Sequence, residues 1–183
     1  MTNQQLFEYL FNQCSQLVKD RQFITDTEKV QSRSFVQKLI TLIEDNDDFD
    51  VAEAAVRLCS YKELPMCYLS LLWVQKQINR GIGNVAIAAL DNKLTELNLC
   101  RDVAISWVKK QVERGIGDIA TAAYTLYKEN YVSFAWAKQQ IERGIGDVKR
   151  AIAHLYCSGN VTEEWKDQQL AKLEQNNDKS TTF

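Results

Sequence analysis

The sequence predicts an all-α protein, a right-handed solenoid of about four two-helix repeats that follow an N-terminal helical cap. One observation is a phrase that occurs three times, at residues 73–84, 107–118 and 136–147, each time ending in Arg-Gly-Ile-Gly and an Asp or Asn. Another is that the segments after these phrases, with an earlier copy, start at residues 50, 84, 118 and 147. Spacings near 34 residues are typical of two-helix solenoid repeats. A single proline in 183 residues also favours helices.

The repeated phrase predicts the end of one helix and the start of the next. In the copy at 107–118, apolar residues recur with a helical period, and Arg114 complements the dipole at the helix C-terminus. Gly115 is expected to end the helix in a left-handed conformation, Gly117 to allow a sharp turn, and Asp118 to cap the following helix. A phosphate-binding loop is disfavoured, because the full glycine-rich motif and a preceding strand are missing.

These signals predict ten helices within a single domain, residues 1–183. The predicted helices span 3–19, 26–44, 50–61, 64–79, 84–96, 99–114, 118–129, 131–143, 147–158 and 161–175. Residues 1–48 are expected to hold the cap and degenerate first helices, 49–165 the repeats, 166–176 a terminal helix and 177–183 a flexible tail. A cap is expected because the end of a solenoid must cover its apolar face.

The repeats resemble the Sel-one-like subclass of tetratricopeptide repeats. The resemblance covers residues 50–165 and rests on a tryptophan, a glycine eight residues later and a tyrosine twelve residues after that. These residues are Trp107, Gly115 and Tyr127 in one copy and Trp136, Gly144 and Tyr156 in the next. The chain departs from the family pattern in its second-helix alanine pair and in its shorter loops. The resemblance implies helical hairpins and a scaffold or adaptor that binds other proteins without catalysing a reaction.

Composition argues against several classes of function. A formal net charge of −2 lacks the basic excess of a dedicated nucleic-acid binder. No apolar run approaches the roughly 18 residues of a membrane span, and the N-terminus does not read as a secretory signal. A cytoplasmic protein is therefore expected. Its five cysteines lack close pairs, so they are interpreted as small buried side chains rather than as disulfides or zinc ligands.

Three other chemistries compete with this interpretation. The acidic run 44–50 does not fit a calcium loop, because Asp50 and Val56 stand where glycine and glutamate are required. An enzyme or small-molecule site near His154, the only histidine, remains an alternative. Nucleic-acid binding is a second alternative, and it would use a ladder of cations on the second helices, weakened by interleaved acidic residues. The ladder comprises Lys76, Arg80, Lys109, Lys110, Arg114, Lys138 and Arg143.

The favoured hypothesis is a non-catalytic protein-protein interaction module, such as an adaptor, an inhibitor or an immunity-type protein. Its partner would be another protein docked on the concave face of the first helices, with no cofactor, no metal and no catalytic residue. The partner-binding residues predicted on this face are Glu53, Arg57, Ile87, Asp91, Thr121, Thr125, Lys128, Arg150 and His154. Self-association through the C-terminal end is left open, as is the choice between the groove and the acidic run 44–50 as main contact surface.

Overall fold

The computed structural model describes residues 1–19, 25–60, 71–94 and 101–180. Within these ranges the chain forms ten α-helices and no strand, which confirms the all-α prediction. The helices are α1 (Asn3–Lys19), α2 (Asp26–Asp45), α3 (Val51–Ser60), α4 (Leu71–Asn79), α5 (Val85–Leu94), α6 (Arg101–Glu113), α7 (Ile119–Lys128), α8 (Phe134–Ile141), α9 (Val148–Cys157) and α10 (Glu163–Ser180). Over the same ranges, no helix is both long enough and apolar enough to cross a membrane.

The chain divides into two compact units, Met1–Asn98 and Leu99–Phe183. In the first unit, α1 packs against α2, α3 packs against α4, and α5 packs against both α3 and α4. The N-terminal helix pair expected from the sequence is therefore present, and α2 contacts α3. Thr25 begins α2 with a capping box, in which its side chain and that of Glu28 each accept from the other's backbone N–H. Phe7 and Leu39 are fully buried in this unit.

The second unit contains two consecutive hairpins. Helix α7 packs against its partner α8 and also against α9, the first helix of the next hairpin, which in turn packs against α10. Small side chains at the crossing, among them Ala120, Ala123 and Ala151, are buried and allow close approach of the helices. Trp165 and Leu173 of α10 also pack against this core.

The glycine turns have the conformation predicted for them. Gly115 and Gly117 take φ values of +85° and +88°, in the left-handed region that a side chain disfavours. Asp118 then caps α7, because its carboxylate Oδ1 accepts the Thr121 N–H at 3.0 Å. Asp147 caps α9 in the same way, accepting the Arg150 N–H at 3.1 Å. The predicted sequence of helix end, turn and helix start is confirmed.

The turns at Gly83 and Gly146 also bind the first helix of the preceding hairpin, a role that the sequence did not predict. In the second unit, the Ala120 N–H donates to the Ile145 carbonyl at 3.1 Å, and the Asp147 N–H donates to Asp118 Oδ1 at 2.9 Å. The first unit repeats the pattern: the Ala52 N–H donates to the Ile82 carbonyl at 3.1 Å, and the Asn84 N–H donates to Asp50 Oδ2 at 2.9 Å. In each unit one aspartate, Asp50 or Asp118, thus caps its own helix and also accepts a hydrogen bond from the residue that follows the next glycine turn.

A buried glutamine and an arginine three residues later recur in the repeated phrase. Gln77, Gln111 and Gln140 are buried at 1%, 5% and 5% exposure. Arg143 Nη1 donates to Gln140 Oε1 at 2.7 Å and to the Val112 carbonyl near the end of α6 at 3.3 Å. Arg80 donates likewise to Gln77 Oε1 at 2.9 Å and to the Asn46 carbonyl at 2.8 Å. These two arginines therefore satisfy carbonyls at the end of the preceding second helix, in addition to complementing a dipole.

Three of the repeated tryptophans, on the second helices α4, α8 and α10 of their hairpins, form polar contacts with a preceding helix. Trp136 and Trp165 lie partly buried against the core of the second unit. Trp136 Nε1 donates to Glu113 Oε1 at 3.0 Å, and Trp165 Nε1 donates to Glu142 Oε1 at 2.9 Å. In the first unit, Trp73 Nε1 donates to Glu44 Oε1 at 2.9 Å. Each of these tryptophans thereby ties its helix to the preceding second helix.

Two expectations were wrong for part of the chain. Helix α10 continues to Ser180, past the end predicted at residue 176, because Leu173 replaces the glycine that ends the other copies. Of the flexible tail predicted at 177–183, only residues 181–183 remain untested, because they lie outside the described ranges. Cys14 is buried as expected, but Cys59 and Cys157 are exposed, since each lies in the last turn of a first helix, beyond its core-facing residues. Cys67 and Cys100 also fall outside the described ranges.

Candidate functional site

Five of the nine predicted partner-binding residues line one groove of the second unit, between α7 and α9. The groove has a volume of about 350 Å³. The predicted residues that line it are Thr121, Thr125, Lys128, Arg150 and His154. Tyr124, Glu129 and Ala151 complete the lining. These five predicted residues therefore lie on a common surface.

The helical period explains why these residues converge. Thr121, Thr125 and Lys128 are spaced by four and three residues along α7, so they share one face of that helix. Arg150 and His154 are four residues apart on α9 and share a face in the same way. The buried alanines beneath bring the two helices close, and the turn at Gly146 fixes their register through its bonds to the start of α7.

An aromatic pair spans the groove. The rings of Tyr124 on α7 and His154 on α9 stack, with centroids 5.0 Å apart and planes inclined by 14°. Tyr124 is half-buried, whereas His154 is exposed. Tyr124 is not among the predicted partner-binding residues. Its spacing of three residues from Thr121 and four from Lys128 was the signal that could have found it.

The groove presents two cations that the fold does not use. Within the described part of the chain, the side chains of Lys128 and Arg150 make no hydrogen bond, ion pair or ring contact. Arg143 and Arg114 of the same unit differ, because they donate to Gln140 and Gln111 at 2.7 Å each. The lining contains one carboxylate, that of Glu129. The groove therefore carries a net positive charge in a chain whose formal charge is −2.

The other four predicted residues lie in the first unit, and the structure gives Arg57 a contact within that unit. Arg57 Nη1 and Nη2 donate to the Glu8 carboxylate on α1 at 2.5 and 3.1 Å. The guanidinium also lies over the ring of Phe11, 4.9 Å from its centroid. The hydrogen bond from Arg57 is the main cause that lowers the pKa of the Glu8 carboxyl, against desolvation, which raises it. Arg57 thus stabilises the packing of α1 on α3.

Glu53, Ile87 and Asp91 are the remaining predicted residues of the first unit. Glu53 is exposed on α3, and its backbone N–H donates to Asp50 Oδ1 at 2.9 Å. Ile87 is half-buried and Asp91 is exposed, both on α5. Desolvation by neighbouring protein atoms raises the pKa of the Asp91 carboxyl. A role of these three residues in partner binding remains a prediction.

The basic ladder of the second helices is largely engaged in intramolecular contacts. Arg80 and Arg143 donate to backbone carbonyls, as described above. Lys109 lies over the ring of Trp136, 5.4 Å from its centroid, and Lys138 lies over that of Trp165 at 5.3 Å. A cavity of about 640 Å³ beside α6 includes Lys110, but Glu113 lines it as well. The ladder is therefore a weaker cationic surface than its sequence suggests.

The acidic run 44–50 is also used by the fold. Asp47 pairs with Arg80 at 2.5 Å, Asp48 accepts from Asn3 Nδ2 at 2.9 Å, and Asp50 caps α3. Among the described residues, no group of three or more His, Cys, Asp or Glu side chains is placed to hold a metal ion. The groove between α7 and α9 is thus the best-defined candidate site. Comparison with protein-family models, curated proteins and solved structures finds no match to this chain.

Proposed function

We propose that this protein is a non-catalytic, cytoplasmic helical-repeat module of the Sel-one-like type, a solenoid that docks a partner protein on its first helices. An adaptor, an inhibitor or an immunity-type protein would all act in this way. The observation that carries the proposal is the groove between α7 and α9, which gathers five of the predicted residues around a stacked Tyr124–His154 pair.

The division of labour between repeated and variable residues supports this function. Residues that recur in the phrase are used for folding: Gln140 is buried, Arg143 satisfies carbonyls, and Trp136 ties two helices together. The groove residues differ from one repeat to the next, and Lys128 and Arg150 make no contact in the described part of the chain. Side chains that folding does not need can be devoted to recognition, and a preformed groove lowers the ordering cost of binding.

A steric block of the groove tests the proposal. Thr125→Trp places a large side chain in the groove lining without altering charge, whereas Gln139→Trp adds the same side chain to an exposed position on α8. Each variant is immobilised and used to capture proteins from a native lysate, and circular dichroism confirms the helical fold. We expect a protein that the natural chain and Gln139→Trp both retain, and that Thr125→Trp loses.

Two outcomes would count against this function. If Thr125→Trp retains every protein that the natural chain retains, the groove is not the docking surface. If the natural chain retains nucleic acid or a small molecule but no protein, the alternative functions named in the sequence analysis replace the protein-binding function.

A further inference from the structure

We propose that the groove between α7 and α9 recognises an acidic segment of its partner protein, with Arg150 as the residue that binds a carboxylate. The inference rests on the proposed function, since it names the chemistry of the partner at the same site. It follows from the charges and contacts of the lining rather than from the repeat pattern.

Arg150 is a guanidinium that the described part of the second unit leaves unused. In contrast to Arg114 and Arg143, which donate to buried glutamines of their own helices, Arg150 is exposed and makes no side-chain contact within the described ranges. A guanidinium presents five N–H donors in a planar fork that fits a carboxylate in a bidentate manner. Its position on the groove wall directs this capacity at a bound segment.

The rest of the lining favours the same kind of segment. Lys128 on α7 supplies a second cation from the other helix, and Glu129 is the single opposing carboxylate. The Tyr124–His154 stack provides an aromatic surface for the apolar part of a peptide. Thr125 Oγ1 donates to the Thr121 carbonyl at 2.9 Å, so its hydroxyl proton is already used by the helix. The hydrogen-bond donors that remain available to a ligand in this groove are therefore mainly the N–H groups of the two cations, Lys128 and Arg150.

A protein segment fits this site better than a nucleic acid. Tight binding to a nucleic-acid backbone requires a row of phosphate contacts, and the groove offers two cations. The formal charge of −2 for the whole chain also repels a polyanion that reaches beyond the groove. A short acidic segment needs only a local positive surface, and complementary charges there would both steer and orient it.

The test uses synthetic probes and the full chain. Protein labelled with ¹⁵N is titrated with blocked hexaglutamate, with blocked hexalysine and with a short oligothymidylate, and amide shifts are followed. Arg150→Glu is compared with Lys149→Glu, an identical charge reversal at the neighbouring exposed position of α9 that does not line the groove. Circular dichroism confirms that both variants stay helical.

We expect hexaglutamate to shift the amides of Tyr124, Arg150 and His154 saturably, and hexalysine to leave them unchanged. Arg150→Glu should raise the Kd for hexaglutamate by about tenfold or more, because a charge-assisted hydrogen bond is lost and a repulsive charge is gained. Lys149→Glu should change it by clearly less. The inference is overturned if hexaglutamate shifts no groove amide, if both variants weaken binding equally, or if oligothymidylate or hexalysine binds the groove more tightly.

The two experiments separate the two proposals. Capture of a protein that Thr125→Trp loses, together with a failure of hexaglutamate to bind, would preserve the docking function and remove only the acidic preference. Retention of the same protein by Thr125→Trp would remove the docking function itself.

Discussion

At Gly146 the backbone takes a φ of +90°, and a Cβ added there would lie 2.7 Å from the Cα of Asp118. Real Cβ atoms do not approach backbone so closely, so the two hairpins would have to move apart. Gly83 repeats the situation in the first unit, with a φ of +88° and a Cβ position 2.8 Å from the Cα of Asp50. At Gly83 and Gly146 the second glycine of the phrase is therefore needed for a close contact between hairpins as well as for a turn.

A matched pair of glycine substitutions separates these two requirements. Gly159 also has a positive φ, +71°, but a Cβ there would meet nothing within 4 Å. Gly159→Ala should therefore lower the free energy of unfolding by about 1 to 2 kcal/mol, which is the strain of placing a residue with a Cβ in the left-handed conformation. Gly146→Ala should cost at least about 1 kcal/mol more, because the bond from the Asp147 N–H to Asp118 must lengthen. Urea unfolding measures both values, and equal losses would show that the hairpin contact does not depend on this glycine.

For the helices, local signals in the sequence were sufficient to predict where most of them lie. Glycine, aspartate and serine act within one turn of the chain, so the ends of α6, α7 and α9 could be predicted closely from them. The end of α10 could not, because Leu173 removes the stop signal and nothing replaces it before Ser180. Contacts between distant residues were also missed: the bond from Arg57 to Glu8 joins positions 49 residues apart.

For the candidate site, too, features set by local sequence could be predicted, whereas contacts between distant residues could not. The face of α7 follows from the helical period, which placed Thr121, Thr125 and Lys128 together. The stack of Tyr124 on His154 depends on how α7 and α9 cross, and a single sequence does not reveal that geometry. The burial of Gln140 was missed too, since a glutamine in a polar stretch is normally taken as exposed.

The packing of α1 on α3 should depend on pH through Glu8. Because Arg57 holds the pKa of this carboxyl below its usual value, the pair stabilises the folded state above the unfolded pKa of a glutamate, and the stabilisation is lost as the pH falls through the folded pKa. Glu8→Gln should lower the free energy of unfolding at neutral pH by less than about 1 kcal/mol, since over a third of each side chain is exposed and water screens the pair.

Urea unfolding of Glu8→Gln and the natural chain at neutral pH and near pH 3 would measure this dependence. The difference between them should be smaller at the lower pH, because Glu8 becomes protonated as the pH falls through its folded-state pKa. In an Arg57→Gln background the same substitution should have little effect at either pH. A difference that persists unchanged in acid would show that packing at Glu8, rather than its charge, accounts for the effect.

Over the whole molecule, the residues that join one second helix to the next are altered in the last copy. Lys109 and Lys138 lie over the following tryptophan ring, but Asp167 occupies that position in α10. Glu113 and Glu142 accept from the following tryptophan, but the corresponding residue in α10 is Ala171. Helix α10 therefore lacks both groups that would receive a further tryptophan-bearing helix.

Self-association by continuation of the repeat at α10 is consequently not expected. A substitution of Tyr156 can test whether this end of the second unit binds another copy. Tyr127, the equivalent tyrosine of the preceding hairpin, packs on Phe134 and donates its hydroxyl to Asn160 at 2.8 Å. Tyr156 instead has Lys166 over its ring at 4.3 Å.

Sedimentation equilibrium across the micromolar range should give the monomer mass for both the natural chain and Tyr156→Glu, because α10 offers a second copy neither the cation nor the carboxylate that joins internal hairpins. A dimer that Tyr156→Glu dissociates would show that this end receives another copy by contacts different from those between the internal hairpins.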